Sequence, residues 1–324
     1  MPEEQNFQGE LWTDQCITIL NKIGWKQRGT SNFDIPCSKK SMHGKNGGKR
    51  KNDHGIDILF NYNDPYYNEN KGIIIEAKRR KWNGINTSEI QKWVKQLLKN
   101  LECGETADKI QKYGFDSSNT GLLMIWCHEF NKYDKMKMQN YLAGIELKNK
   151  RSPYKIYVAG NDKILKWCSL IEFIEKEKQK DSVHEFKFLY PSDYFLDEQS
   201  SSLVKNNTLN LIHMFSKYIF AKSTELVEVY NNTQKINVTH IFMDDEPNLK
   251  ELNFMYELIK MYQLEDAEKI VIHFYGEKHD YRGYVEDFIR RINSKYNSLD
   301  GVDRKIISHY ITLLSDIPTN YSEV

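Results

Sequence analysis

A chain of 324 residues with 40% apolar and 13% aromatic side chains has the material for packed cores, which excludes a disordered or low-complexity polymer. Its formal net charge of +1 conceals a division: residues 1–180 hold 31 Lys and Arg against 22 Asp and Glu, and residues 181–324 hold 15 against 23. A basic half beside an acidic half directs only the first towards a polyanion, because neutralising phosphates is the main sequence-independent source of nucleic-acid affinity.

The length exceeds that of one ordinary domain, and the charge division suggests a domain over 1–180 and an acidic one over 181–324. The five cysteines, at 16, 37, 103, 127 and 168, form no C-x-x-C pair, which argues against zinc ribbons and disulfide frameworks. The start MPEEQNFQGELW has no basic-then-apolar order, and no apolar run reaches membrane-spanning length, so a cytoplasmic protein is expected.

In chain order, Leu11, Trp12, Cys16, Ile19, Leu20 and Ile23 recur at steps of one, three and four, the pattern of an amphipathic helix that Gly24 would end. Residues 26–51 carry eight Lys or Arg against Asp34 alone and read as a mobile basic loop. Two β-like runs follow, Ile56 to Tyr62 and Gly72 to Ala77, separated by the turn-forming NDPYYNENK. This predicts an antiparallel hairpin. A helix is expected over Thr87 to Leu101, capped by Thr87 or Ser88, then buried strands over 121–130 and 154–160 and a closing helix over 167–180. Beyond 181 the pattern restarts, with a helix near 205–220, the strand VTHIFMD, a helix near 248–263 and the strand KIVIHFYG. Strands alternating with helices predict a smaller second α/β unit.

The segment that carries chemistry is HGIDILF followed by GIIIEAK. Strand side chains alternate faces, so Glu76 and Lys78 share one side while Ala77 is expected to point into the fold. Hairpin pairing would bring Asp57 to the same edge. Two carboxylates and an ammonium at one spot suit phosphodiester hydrolysis, because hard oxygen ligands hold Mg²⁺, or Mn²⁺ in its place, and a lysine orients or deprotonates the attacking water or steadies the phosphorane.

These residues resemble the PD-(D/E)xK nucleases, a superfamily that includes type II restriction enzymes and Mrr-like relatives. Asp57 matches the first acid and Glu76-Ala77-Lys78 the ExK element, with 18 residues between Asp57 and Glu76; Ile56 stands where the family name has Pro. The resemblance covers roughly residues 7–130. It implies a restriction-endonuclease-like core, a mixed sheet flanked by helices, with metal held by Asp57, Glu76 and the main chain of Ala77. It further implies a carboxylate on the first helix, for which Glu10 is the candidate unless that residue only favours the helix N-terminus. A glutamine on the helix after ExK is also implied, Gln91 before Gln96.

For nucleic-acid binding the candidates are Lys45, Lys49, Arg50 and Lys51 in the basic loop and Arg79, Arg80 and Lys81 after ExK. Trp82 either stacks on a base or packs in the core. His54 beside a turn reads as incidental to the site, and Asp244, Asp245 and Glu246 as a solvated turn. The expectation is therefore an Mg²⁺-dependent DNA endonuclease, with defence against foreign DNA as its commonest setting. It would act as a homodimer or beside a second subunit engaged by the C-terminal domain, and away from membranes. The competing reading is a non-catalytic DNA-binding scaffold on the same fold.

Overall fold

A computed structural model describes residues 2–44, 48–146, 153–191, 203–229, 232–275, 281–299 and 305–311. The chain forms two compact units that divide between Leu165 and Lys166.

The first unit begins with helix α1 (Pro2–Lys22), which ends where Gly24 takes a φ of 95°, a left-handed conformation that glycine adopts without steric cost. Its buried face is Trp12, Cys16, Ile19, Leu20 and Ile23. Strands β1 (Lys26–Gln27), β2 (Phe33–Ile35), β3 (His54–Ile56), β4 (Ile58–Asp64) and β5 (Glu69–Arg80) follow. Then come helices α2 (Thr87–Gly104) and α3 (Asp108–Gln111), strand β6 (Ser117–Cys127), helix α4 (Lys135–Ala143) and strand β7 (Lys155–Ala159).

The central sheet has the order β1-β4-β5-β6-β7. β1, β4 and β5 pair antiparallel, and β5, β6 and β7 parallel. This is the expected mixed sheet. Trp12 of α1 stacks on Trp126 of β6 at 5.4 Å and donates its indole N–H to the Met124 carbonyl, which fixes α1 on one face. On the other, Ile90, Trp93, Val94, Leu97 and Leu101 of α2 pack against Leu59, Ile74, Leu123 and Ile125. A Cβ at Gly121 would lie 2.9 Å from Leu97, so the helix approaches the sheet closely because that position has no side chain.

Three local expectations are corrected. The N-cap of α2 is Asn86, whose side chain accepts the Glu89 N–H, rather than Thr87 or Ser88. Residues 26–51 are not simply a loop: β2 pairs with β3, Phe33 opposite Ile56, and Ile35, Cys37 and His43 are buried. Ala77, expected to point inwards, is half-buried, whereas Glu76 is fully buried. Helices cover both faces of the sheet, so a polar strand residue has no solvated side by default.

Helix α5 (Asn161–Lys178) contains the boundary. Its start belongs with the first unit, where Asn161 brackets Cys127 by accepting its N–H and donating to its carbonyl. The domain boundary expected at 180 thus falls earlier. Trp167 donates to the Met214 carbonyl and Lys166 pairs with Asp244 at 3.2 Å, contacts of the second unit that the charged end of the helix does not announce.

The second unit contains β8 (Val183–Pro191), β9 (Leu203–Asn206), α6 (Leu211–Met214), β10 (Tyr218–Val229), β11 (Asn232–Met243), α7 (Leu249–Met261), β12 (Lys269–Tyr275), α8 (Arg282–Leu299) and β13 (Lys305–Ile311). Its sheet runs β13-β12-β11-β10-β8-β9, with Leu252, Met255 and Ile259 of α7 and Val285, Phe288 and Ile292 of α8 in its core. The helix expected near 205–220 is only the short α6. From Tyr218 the chain is a strand whose aromatic and β-branched residues pair along β11.

Candidate active site

The β4–β5 pairing ends with Ile58 opposite Ile75, while β5 continues to Arg80 along β6. Asp57 stands where the chain enters β4. Its Oδ2 accepts the Ala77 N–H at 2.8 Å and lies 3.2 Å from Lys78 Nζ. The carboxylate takes up the N–H that a longer β4 ladder would have used, and this anchors the first acid against the ExK element.

Glu76 is wholly enclosed, at 0% exposure. Its Oε1 lies 2.5 Å from Lys78 Nζ and accepts a hydrogen bond from Gln96 Nε2 at 3.0 Å; its Oε2 is buried without a hydrogen-bond partner. Burial pushes the carboxyl up to about 7, against the pull of Lys78 and helped by the charge of Asp57. For Lys78, burial acts downwards, but Glu76 and Asp57 outweigh it and hold the ammonium above its ordinary range. Lys78 is therefore a charged donor between two carboxylates, reaching Asp57, Glu76 and the Ala77 carbonyl.

Asp57, Ala77 and Lys78 open onto a cleft also lined by Glu10, Thr13, Asn32, Arg79 and Arg80. The structure thus gathers Asp57, Glu76, Ala77 and Lys78 and sets Glu10 on the wall of the same cleft. The guanidinium of Arg80 lies 5.5 Å over the Trp93 ring, and Arg79 is half-buried. Lys81 is exposed beside the short turn Trp82–Gly84. Trp82 is half-buried and packs on Tyr133 and Tyr141 at the edge of the core. In the basic segment Lys49 and Lys51 are exposed, Arg50 is tied to the carbonyls of Asn52 and Asp53, and Lys45 lies outside the described residues.

The model of the GAPS4 protein PD-(D/E)XK nuclease domain family matches residues 1–163. The chain belongs to this family. The match ends two residues before Leu165, where the N-terminal stretch of the first unit closes. No curated protein matches the chain.

The site differs from expectation at its glutamine. Gln91 turns to Glu146, donating to its carbonyl and accepting its N–H, while Gln96 touches Glu76. Five residues along a helix of about 100° per residue separate the two side chains by about 140°, and they flank the apolar stripe of α2 on opposite edges. Only the way the helix lies on the sheet decides which one meets the strand. Gln96→Ala is expected to lower nuclease activity by about 10- to 100-fold, the usual cost of removing a group that orients a functional side chain, and Gln91→Ala to leave it near wild type. Nicking assays on both variants check this, and equal losses would remove Gln96 from the site.

His54 does not line the cleft, in keeping with its reading as incidental to that site; it is fully buried and contacts His43 and Asn100. The acidic turn after β11 is braced by lysines, Lys166 on Asp244 and Lys217 on Asp245.

Proposed function

We propose that the chain is a metal-dependent endonuclease that hydrolyses DNA phosphodiester bonds and serves in defence against foreign DNA. The observation that carries this reading is the Glu76 carboxylate, buried with Oε1 held by Lys78 and Gln96 and Oε2 without a partner. An enclosed anionic oxygen left unsatisfied is costly. A cation relieves that cost.

PD-(D/E)xK nucleases generally use divalent metals. The donors available here, Glu76, Asp57 and the Ala77 carbonyl, are hard oxygens that favour Mg²⁺ or Mn²⁺ over softer ions. When bound, such an ion neutralises charge on the phosphate and makes water a better nucleophile. Gln96 keeps the Glu76 carboxylate oriented, and Asp57 holds the Ala77 main chain in place. Lys78 keeps its proton and presents a positive hydrogen-bond donor to the water or to a phosphate oxygen. Arg79 and Arg80, on the cleft wall, supply positive charge along the phosphate path.

A DNA substrate is supported by the excess of Lys and Arg in residues 1–180. The defence role rests on the usual setting of nucleases of this kind. The acidic second unit repels a polyanion, which supports a protein contact there, with a second copy or a different subunit. No helix among the described residues is long and apolar enough to cross a membrane, and all five cysteines are buried thiols, which supports a reducing, cytoplasmic setting.

Plasmid cleavage by the full chain in Mg²⁺, with and without any subunit that copurifies from the host, tests the reading. Nicked or linear product that disappears in Glu76→Gln is expected; DNA that is bound but never cut in either condition would establish the scaffold instead. For the binding face, neutralising Lys45, Lys49, Arg50 and Lys51 together should reduce the slope of log K against log salt by roughly 0.9 for each phosphate that is no longer neutralised. An unchanged slope in a gel-shift titration would place the DNA elsewhere.

A further inference from the structure

Four side chains that do not line the cleft converge elsewhere in the first unit. Cys37 follows β2, His43 lies in the basic segment, His54 opens β3 and Cys103 lies in the last turn of α2. All four are buried, and their donor atoms lie within 4.8 Å of one another. The two Sγ atoms are 3.9 Å apart, each is 3.4 Å from His43 Nδ1, and His43 Nδ1 is 3.2 Å from His54 Nε2. A tetrahedron with Zn–S of about 2.3 Å and Zn–N of about 2.0–2.1 Å has edges of about 3.8 Å between sulfurs, 3.5 Å between sulfur and nitrogen and 3.3 Å between nitrogens. These four edges match that tetrahedron within a few tenths of an ångström, and the remaining two, from His54 Nε2 to the sulfurs, are within 4.8 Å.

The outer contacts point the same way. His43 Nε2 is 2.6 Å from Glu102 Oε2, a bond in which the imidazole donates. Asn100 donates its Nδ2 to the Gly55 carbonyl, which turns its Oδ1 towards His54 Nδ1 at 3.1 Å, so His54 donates there. With both ring protons committed outwards, His43 Nδ1 and His54 Nε2 face each other as lone pairs, and neither has a proton for the other. One His lone pair also cannot accept both thiols well. Imidazoles whose far nitrogens donate to a carboxylate or an amide oxygen are the usual outer arrangement of zinc-bound histidines.

We propose that Cys37, His43, His54 and Cys103 bind one Zn²⁺ ion in a closed, structural site. Binding releases two thiol protons to solvent, leaving two thiolates and two neutral imidazoles around the ion. Four protein ligands leave no open position, which separates this site from chemistry on a substrate. The absence of C-x-x-C pairs speaks only against ribbons, whose ligands are close in sequence; here the cysteines are 66 residues apart. The ion clamps the basic segment and β3 onto the end of α2. Asp57 lies three residues beyond His54, and Gln96 two turns before Cys103, so the same clamp sets both ends of the Asp57–Glu76–Gln96 arrangement.

Full-length protein purified reduced and without chelator is expected to contain about one zinc per chain, with an X-ray absorption shell of two sulfurs at about 2.3 Å and two nitrogens at about 2.0–2.1 Å. Asp57→Asn and Glu76→Gln keep that zinc, which distinguishes it from any ion in the cleft, and the double variant Cys37→Ser, Cys103→Ser loses it. Should the double variant fail to fold, Co²⁺ exchanged into wild-type protein gives the thiolate charge-transfer and tetrahedral d–d bands. Reduced wild-type protein that contains no zinc and takes up no Co²⁺ with these bands, or zinc without sulfur in its shell, overturns the assignment, whatever the nuclease assay shows.

Discussion

Glu76→Gln, Asp57→Asn and Lys78→Met are each expected to lower DNA cleavage by about 10²–10³-fold or more, roughly 3–4 kcal/mol of barrier. The replacements keep shape and remove charge. That choice matters at Glu76, which is fully buried: truncation to Ala would leave a void and cost stability for reasons unrelated to chemistry. Glu76→Gln retains a carbonyl oxygen for Gln96 but loses the anion, Asp57→Asn loses the anion that accepts from Ala77 and Lys78, and Lys78→Met retains the aliphatic stem. The two carboxyl variants should bind DNA more tightly, because negative charge is removed from the phosphate path. Circular dichroism, melting curves, gel shifts and nicking on the same preparations separate folding, binding and cutting. A folded variant that cuts at near the wild-type rate takes its residue out of the chemistry.

Cleavage should vanish in excess EDTA and return with Mg²⁺ or Mn²⁺, while Ca²⁺ restores DNA binding without cutting, because it fits oxygen ligands but is a poorer Lewis acid. Cleavage undiminished by chelator would end the metal mechanism. The enclosed Glu76 adds a pH signature. Its carboxyl titrates at about 7 without metal, so a cation must displace a proton below that pH, and the apparent affinity should fall about tenfold per unit. Stability follows the same shift. A carboxyl raised from 4.5 to about 7 favours the folded state while it is protonated, fully so below 4.5, and that contribution is lost as pH rises through about 7. Bound cation returns it. The rise in Tm on adding Ca²⁺ should therefore be larger at pH 8 than at pH 5.5, and a rise that does not depend on pH would separate Glu76 from the metal.

The acid–ExK pattern was legible because its geometry is local. Period-two alternation sets Glu76 and Lys78 on one face, and the turn-rich NDPYYNENK forces the hairpin that brings Asp57 alongside. Trp12 and the apolar positions of α1 declared a buried helix face through their spacing alone. The cap of α2, Asn86, lies one or two residues before the expected Thr87 or Ser88, since all three are competent caps and the start of the helix depends on where the preceding turn ends.

What the amino-acid order by itself determined is whatever one strand or one helix can express: the amphipathic faces, the hairpin, the acid–ExK trio and the basic character of the first unit. What only the tertiary structure decided depends on how elements lie across one another. Gln96 and Gln91 are equivalent on an isolated helix, and the sheet beneath chooses between them. Glu76 is buried because helices cover both faces of its strand, and that burial is what moves its titration. The close of the first unit at Leu165 reflects which core the rest of α5 packs into. Cys37, His43, His54 and Cys103 show no zinc-ribbon spacing that links them, because residues 37–54 and the distant end of α2 must fold together before their lone pairs meet.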